Sequence, residues 1–169
     1  MPIPKSLTNL LDKNKIKYEI IKHKIVFTAH DKAATLKMDP KQIVKTVVVG
    51  LDKKNNALAL ISANKNLDKN KLKSLINKIY KKLGLKTIKK IDFATEKWMK
   101  AHIKGAKIGA IPPFGSLYKL PVFIDQSLVK QKKLVVNAGD YNTSIKITLL
   151  NLLKLEKETI KGSISMPKK

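Results

Sequence analysis

Ile43-Val44-Lys45-Thr46-Val47-Val48-Val49, closed by Gly50, is the stretch on which the reading of this chain turns. Its β-branched run predicts a strand. The polar turn Asp52-Lys-Lys-Asn-Asn56 and the apolar run from Ala57 to Ala63 make that strand one arm of a hairpin. Lys45 interrupts the apolar pattern. An ammonium in such a run is costly to desolvate unless it is paired or put to use, so Lys45 is the first candidate for chemistry. The bland reading is that one of 36 basic residues falls in a strand by chance and faces solvent.

Working outward, Ser6 to Asp12 reads as an amphipathic helix with Leu7, Leu10 and Leu11 on one face, and Ile16 to Ile21 as an alternating strand. Thr28 with Asp31 is a variant capping box, opening a helix through Ala33, Ala34 and Leu36; Pro40 starts a short helical turn. Asp68 caps a helix whose Leu72, Leu75, Ile76, Ile79 and Leu83 repeat at three and four, ended by Gly84. Thr87 to Ile91 reads as a short strand, and Asp92 as the cap of a helix carrying Trp98 and Met99. Leu120–Ile124, Lys133–Asn137 and Ser144–Thr148 are three further strands, with a last helix from Leu149 to Leu155. The sum is α+β: one domain built on a mixed, largely antiparallel sheet with packed helices, over residues 1–157. A lysine-containing tail, 158–169, is expected to fray.

Composition narrows the function. The formal charge is +24, and every basic residue other than histidine is lysine. So large a charge points to a polyanionic partner. With no arginine there is no bidentate contact to guanine, so the expectation is phosphate binding without DNA sequence readout. Codon preference accounts for lysine over arginine, but less readily for a total of 12 acidic residues. No cysteine is present, which removes disulfides, thiolate nucleophiles and cysteine-ligated zinc. No apolar run approaches the ~20 residues of a membrane span, and the first residues lack a signal-peptide core. A soluble, cytoplasmic protein with no membrane partner is expected.

The usual catalytic sets are absent. His23, His30 and His102 show no metal spacing, no carboxylate pair suggests acid/base work, and neither a phosphate loop nor a Gly-x-Ser-x-Gly elbow occurs. No metal or other cofactor is expected. Gly109-Ala-Ile-Pro-Pro-Phe-Gly115 is a different matter: its prolines stiffen the backbone and its glycines permit close approach, which suits an oxyanion or a ribose, or simply a tight crossover. Val135-Val-Asn-Ala-Gly139 is a strand running into a glycine turn. Trp98 and Met99 read as core.

Taken in order, the Lys45-Thr46 strand, the Gly109–Gly115 loop, Leu120-Pro-Val-Phe-Ile-Asp125 and Val135–Gly139 resemble the YbaK family, the prolyl-tRNA synthetase-associated editing domains. The resemblance runs from about His23 to Leu155. It implies a compact α+β fold and a trans-editing deacylase that hydrolyses the ester of a mischarged aminoacyl-tRNA, commonly Cys- or Ala-tRNA for proline. By this resemblance Lys45 falls on the family's essential lysine. Thr46 falls on that lysine's neighbour, Pro113 and Gly115 on the family's pocket loop and Gly139 on the glycine of its later turn; these four, with Gly109, Phe114, Asn137 and Ser144, are the substrate-binding candidates. Asn137 stands where the cysteinyl-tRNA deacylase type carries serine, Ser144 where it carries aspartate, and Ile21 is nearest to a family aromatic. The implied partners are the acceptor end of tRNA, through lysine–phosphate contacts, and a prolyl-tRNA synthetase. Competing readings are a non-catalytic tRNA- or synthetase-binding module of the same fold and a general RNA-binding protein.

Overall fold

In the computed structural model, which describes residues 3–168, the chain begins with helix α1 (Lys5–Lys13), anchored by Leu7 and Leu11, both fully buried. Ile16 is also buried, but it hydrogen-bonds back to the helix end (Ile16 N–H to Leu11 O, 2.9 Å), so strand β1 starts later than the alternation predicts, at Glu19–Lys22. Helix α2 (Ala29–Leu36) has Thr28 as its cap, accepting from Asp31 N–H. A 3-10 turn at Pro40–Gln42 leads to β2 (Val44–Leu51), which pairs antiparallel with β3 (Asn55–Ser62) as expected, Lys45 opposite Ile61. β4 (Lys65–Leu67) follows, then α3 (Lys69–Lys82), which buries Leu72 and Ile76 and leaves Leu83 beyond its end and exposed.

The next strand departs from expectation. Residues 88–90 are held by side chains: Asn77 pairs with both the N–H and the carbonyl of Ile88, and the Asp52 carboxylate accepts from Lys89 and Lys90 N–H. That moves strand β5 to Ile91–Phe93 and puts Asp92 in the ladder opposite Gly50. Thr95, not Asp92, caps α4 (Glu96–His102) by accepting from Trp98 N–H. After a 3-10 turn at Gly115–Leu117 come β6 (Val122–Asp125), α5 (Gln126–Val129), β7 (Lys133–Asn137), β8 (Thr143–Thr148) and α6 (Leu149–Leu155).

The stretch expected to fray is tied into the fold. β9 (Ile160–Gly162) adds to β6 in parallel, and β10 (Ser165–Pro167) pairs antiparallel with β4. The strands make three sheets rather than one: β5-β2-β3-β6-β9, β1-β8-β7 and β10-β4. The first is mixed, because β3, β6 and β9 run parallel to one another. The result is a single α+β domain. Its largest cluster joins α1, Val44 and Val48 of β2, Phe114, and the apolar faces of β7 and β8; α3 covers the other face of the five-stranded sheet.

Candidate active site

The Lys45 strand is covered unevenly. β3 runs along one edge of β2 for its whole length, whereas β5 meets the other edge only from Val49 onward. β7 touches the start of that edge through an Ile43–Val135 bridge. Between these contacts the edge of β2 opens onto a cleft of about 390 Å³. Its walls include Lys45, Thr46, Val48, the start of α2 at Thr28–His30, Gly109, Ile111 and Asn137. Strand geometry says what this edge presents. In an antiparallel ladder the N–H and carbonyl of alternate residues point to opposite edges. Val48 O accepts from Ala94 N–H on the open side, so Thr46, two residues earlier, directs its backbone N–H and carbonyl the same way.

Lys45 is half-buried at this wall, its Nζ donating to the carbonyl of Lys65 at 3.0 Å. Burial, and then the ammonium of Lys168, lower its pKa below that of an ordinary lysine. Thr46 places a buried hydroxyl oxygen with no hydrogen-bond partner among the described residues. Gly109 has φ +88°, and a Cβ there would stand 3.4 Å from the carbonyl oxygen of Phe27 in a conformation that L side chains rarely adopt. Asn137 is held from two sides. Its Oδ1 accepts from Lys32 Nζ and its Nδ2 donates to Ile111 O. The cleft wall carries lysines and a histidine, and among its described residues there is no aspartate or glutamate.

The structure therefore brings Lys45, Thr46, Gly109 and Asn137 to one cleft and leaves the other sequence candidates outside it. Phe114 is fully buried in the main core. Gly115 lies against the chain that follows: a Cβ there would come within 2.2 Å of Leu120 O and 2.5 Å of Val122 Cγ2. Its backbone belongs to a turn, and Ser116 N–H donates to Glu156 Oε1 (2.7 Å), so this end of the loop lines a separate surface hollow. Pro113 is buried and absent from the cleft wall. Gly139, at φ +96°, packs on Pro4 and Gly105, where a side chain would meet atoms at 3.1–3.2 Å. Ser144 is buried opposite Asn137 in the β7–β8 ladder, with its Oγ 2.9 Å from His23 Nε2. Ile21 pairs with Ser144 from the other side, so Ile21, Ser144 and Asn137 form one row across three strands, of which Asn137 reaches the cleft.

Several wall residues escaped the sequence reading. Lys168 arrives from the closing stretch, and His30 from the first turn of α2. Phe27 and Phe93, far apart in sequence, both stand on the wall and are 65% and 57% exposed. Met99 and Trp98 pack against the main core as expected, but Met99 also lines the cleft, and Trp98 stacks on His102 with ring centroids 4.4 Å apart. Lys32, 4% exposed, lies behind Asn137, and burial pushes its pKa down to about 8. The Thr28 cap was a usable signal for His30; nothing in the local sequence marks Lys32.

The chain is similar to known proteins in sequence and in fold. A family model described as the aminoacyl-tRNA editing domain matches residues 23–155. A crystal structure of a hypothetical protein superposes with a TM-score of 0.80 at 18% identity, covering 96% of this chain and 100% of its own. A candidate trans-editing enzyme for prolyl-tRNA synthetase superposes at 0.72 and 21% identity, covering 98% and 99%. A candidate signal-transduction protein of Marinobacter aquaeolei shares the fold with a TM-score of 0.67 at 14% identity, over 98% of this chain and 31% of its own. These structural likenesses establish the fold, and the family match accounts for most of the chain. This protein belongs to the aminoacyl-tRNA editing domain family.

Proposed function

We propose that this chain is a trans-editing deacylase that hydrolyses the ester of a mischarged aminoacyl-tRNA, with Cys- or Ala-tRNA for proline as the first substrates to consider. The observation that carries the reading is Lys45: a half-buried ammonium, held by one backbone carbonyl, in a cleft whose described walls carry no carboxylate. An ammonium so placed suits the terminal nucleotide or the developing charge of an ester. The aminoacyl ester is already activated, so positioning and electrostatic stabilisation supply most of what the reaction needs.

In this mechanism the oxygen of a water molecule bonds to the ester carbonyl carbon, and the carbonyl oxygen takes the negative charge. The carbon–oxygen bond to the ribose then breaks, and the departing ribose oxygen takes up the proton the water gives. A neighbouring ribose hydroxyl of the substrate orients the water, a role no carboxylate of the described wall could take. The Gly109 N–H, without a hydrogen-bond partner among the described residues, and the Thr46 backbone N–H are the candidate donors to the oxyanion. Thr46 and Asn137 line the cleft beside the open edge of β2, and Phe27 and Phe93 offer exposed rings to the terminal bases. A substrate of this kind places the protein in the cytoplasm, with tRNA as partner and a prolyl-tRNA synthetase as the source of the error.

A panel of aminoacylated tRNAs, Cys- and Ala-tRNA for proline among them, tests the reading under single-turnover conditions. Accelerated hydrolysis of one member supports it. Tight binding of all with hydrolysis of none overturns it in favour of a binding module.

A further inference from the structure

The family match ends at residue 155, yet the cleft is completed by a residue well beyond it. β10 pairs with β4 in a register that sets Pro167 opposite Lys65, and Lys168 follows directly. Two ammonium groups then lean on the same short segment. Lys45 Nζ donates to the carbonyl of Lys65 at 3.0 Å, and Lys168 Nζ to the carbonyl of Ala63 at 3.5 Å. Both lysines line the cleft beside Lys45's strand edge, and the described wall offers them no carboxylate. Like charges held together against neutral carbonyls repel one another, and at Lys45 that repulsion adds to the larger effect of burial in lowering its pKa. An anion placed between them relieves that repulsion and gains a charge-assisted hydrogen bond from each.

We propose that Lys168 is a second cationic binding residue of this cleft, and that Lys45 and Lys168 together grip one phosphodiester of the single-stranded 3′ end of the tRNA. This rests on the deacylase reading above and adds to it a residue outside the matched domain. The 3′ end carries its negative charge on phosphodiesters, so a two-lysine clamp fixes the register of the terminal nucleotide while the ester reaches the Thr46 edge. The closing strand thereby becomes part of the site rather than a tail.

The test measures affinity for an RNA hairpin ending in CCA and carrying a non-hydrolysable 3′-aminoacyl amide, over a salt series, for wild type, Lys168→Gln and Lys168→Arg. Lys168 is exposed, so neither change should disturb folding, which the melting temperature checks. Loss of one single-strand phosphate contact reduces the magnitude of the slope of log K against log salt by about 0.7. The glutamine variant should show weaker binding with that smaller slope, and the arginine variant should restore both. On a probe lacking the 3′-terminal nucleotide the variants should bind alike. An unchanged slope in the glutamine variant, or a loss that arginine does not repair, overturns the proposal. Should hydrolysis remain dependent on Lys45 while Lys168→Gln binds normally, the clamp fails and the deacylase stands. Should no tRNA be hydrolysed, the deacylase reading itself fails.

Discussion

A half-buried lysine, Lys45, and a buried one, Lys32, have different fates. Lys45 keeps one side toward the cleft, whereas Lys32 is enclosed behind Asn137 with that amide oxygen as its hydrogen-bond partner. Burial lowers the Lys32 pKa from 10.5 to about 8. A lysine whose folded pKa is depressed is deprotonated earlier in the folded state, so between pH 8 and about 10 the unfolded chain binds more protons and stability rises with pH. The rise amounts to about 3 kcal/mol as an upper figure. Lys32→Met should abolish most of it, which denaturant titrations at pH 7.5 and 9.5 would reveal as a smaller rise of the midpoint than in wild type; a rise as large as in wild type would contradict the account. For Lys45 the same direction of shift acts on function. If its ammonium is the working form, hydrolysis should decline on the alkaline side below the usual lysine range, read from a single-turnover pH profile. Lys45 was legible in the sequence because an ammonium in a β-branched run is conspicuous. Lys32 was not, because a lysine in an alanine-rich helix looks like any solvated residue until the tertiary fold encloses it.

At the scale of elements, the β10–β4 ladder and the Gly115 turn carry the consequences. The Asp125 carboxylate at the end of β6 accepts from Ile164 N–H (2.8 Å) and Ser165 Oγ (2.9 Å) as well as from Ser127, and so staples the closing stretch to the sheet. Asp125→Ala should cost about 3 kcal/mol, from two or more stranded donors. Amide exchange should quicken in β9 and β10 before the rest of the molecule; uniform protection would show that the staple is not what holds them. Gly115→Ala should cost about 3 kcal/mol through overpacking against Leu120 and Val122, with the cleft itself intact. A stable variant with altered substrate binding would return Gly115 to the site. The central hairpin and α3 could be read from sequence because their periodicities are long. The closing strands carried a signal too, since Ile160, Gly162, Ile164 and Met166 alternate with Lys161, Ser163 and Ser165. It was outweighed by brevity and by the surrounding lysines. The shift of β5 to residue 91 was not legible, because distant side chains, Asn77 and Asp52, hold the preceding residues out of the ladder.

The whole molecule carries +24 and presents its charge as lysine, so tRNA affinity should fall steeply with salt and discriminate little among tRNA bodies. A salt-independent affinity would argue against phosphate contacts as its source. No helix among the described residues is long and apolar enough to cross a membrane. How the site assembles explains what sequence alone revealed of it. Lys45, Thr46, Gly109 and Asn137 belong to motifs with local signatures, whereas Phe27, Phe93, Met99 and Lys168 come from separate stretches of the chain and meet at the cleft only in the folded structure. Gly115 and Gly139 are places where a side chain would meet neighbouring atoms at 2.2–3.2 Å, a steric demand that a glycine signals in sequence whether or not a ligand is near. The most direct test of the account is single-turnover hydrolysis of the mischarged prolyl tRNAs by wild type and Lys45→Ala, with folding verified by melting. The alanine variant is expected to keep its fold and lose hydrolysis by at least about a hundredfold, the scale of misplacing the ester relative to the groups that act on it. Hydrolysis at the wild-type rate by a folded Lys45→Ala protein would contradict it.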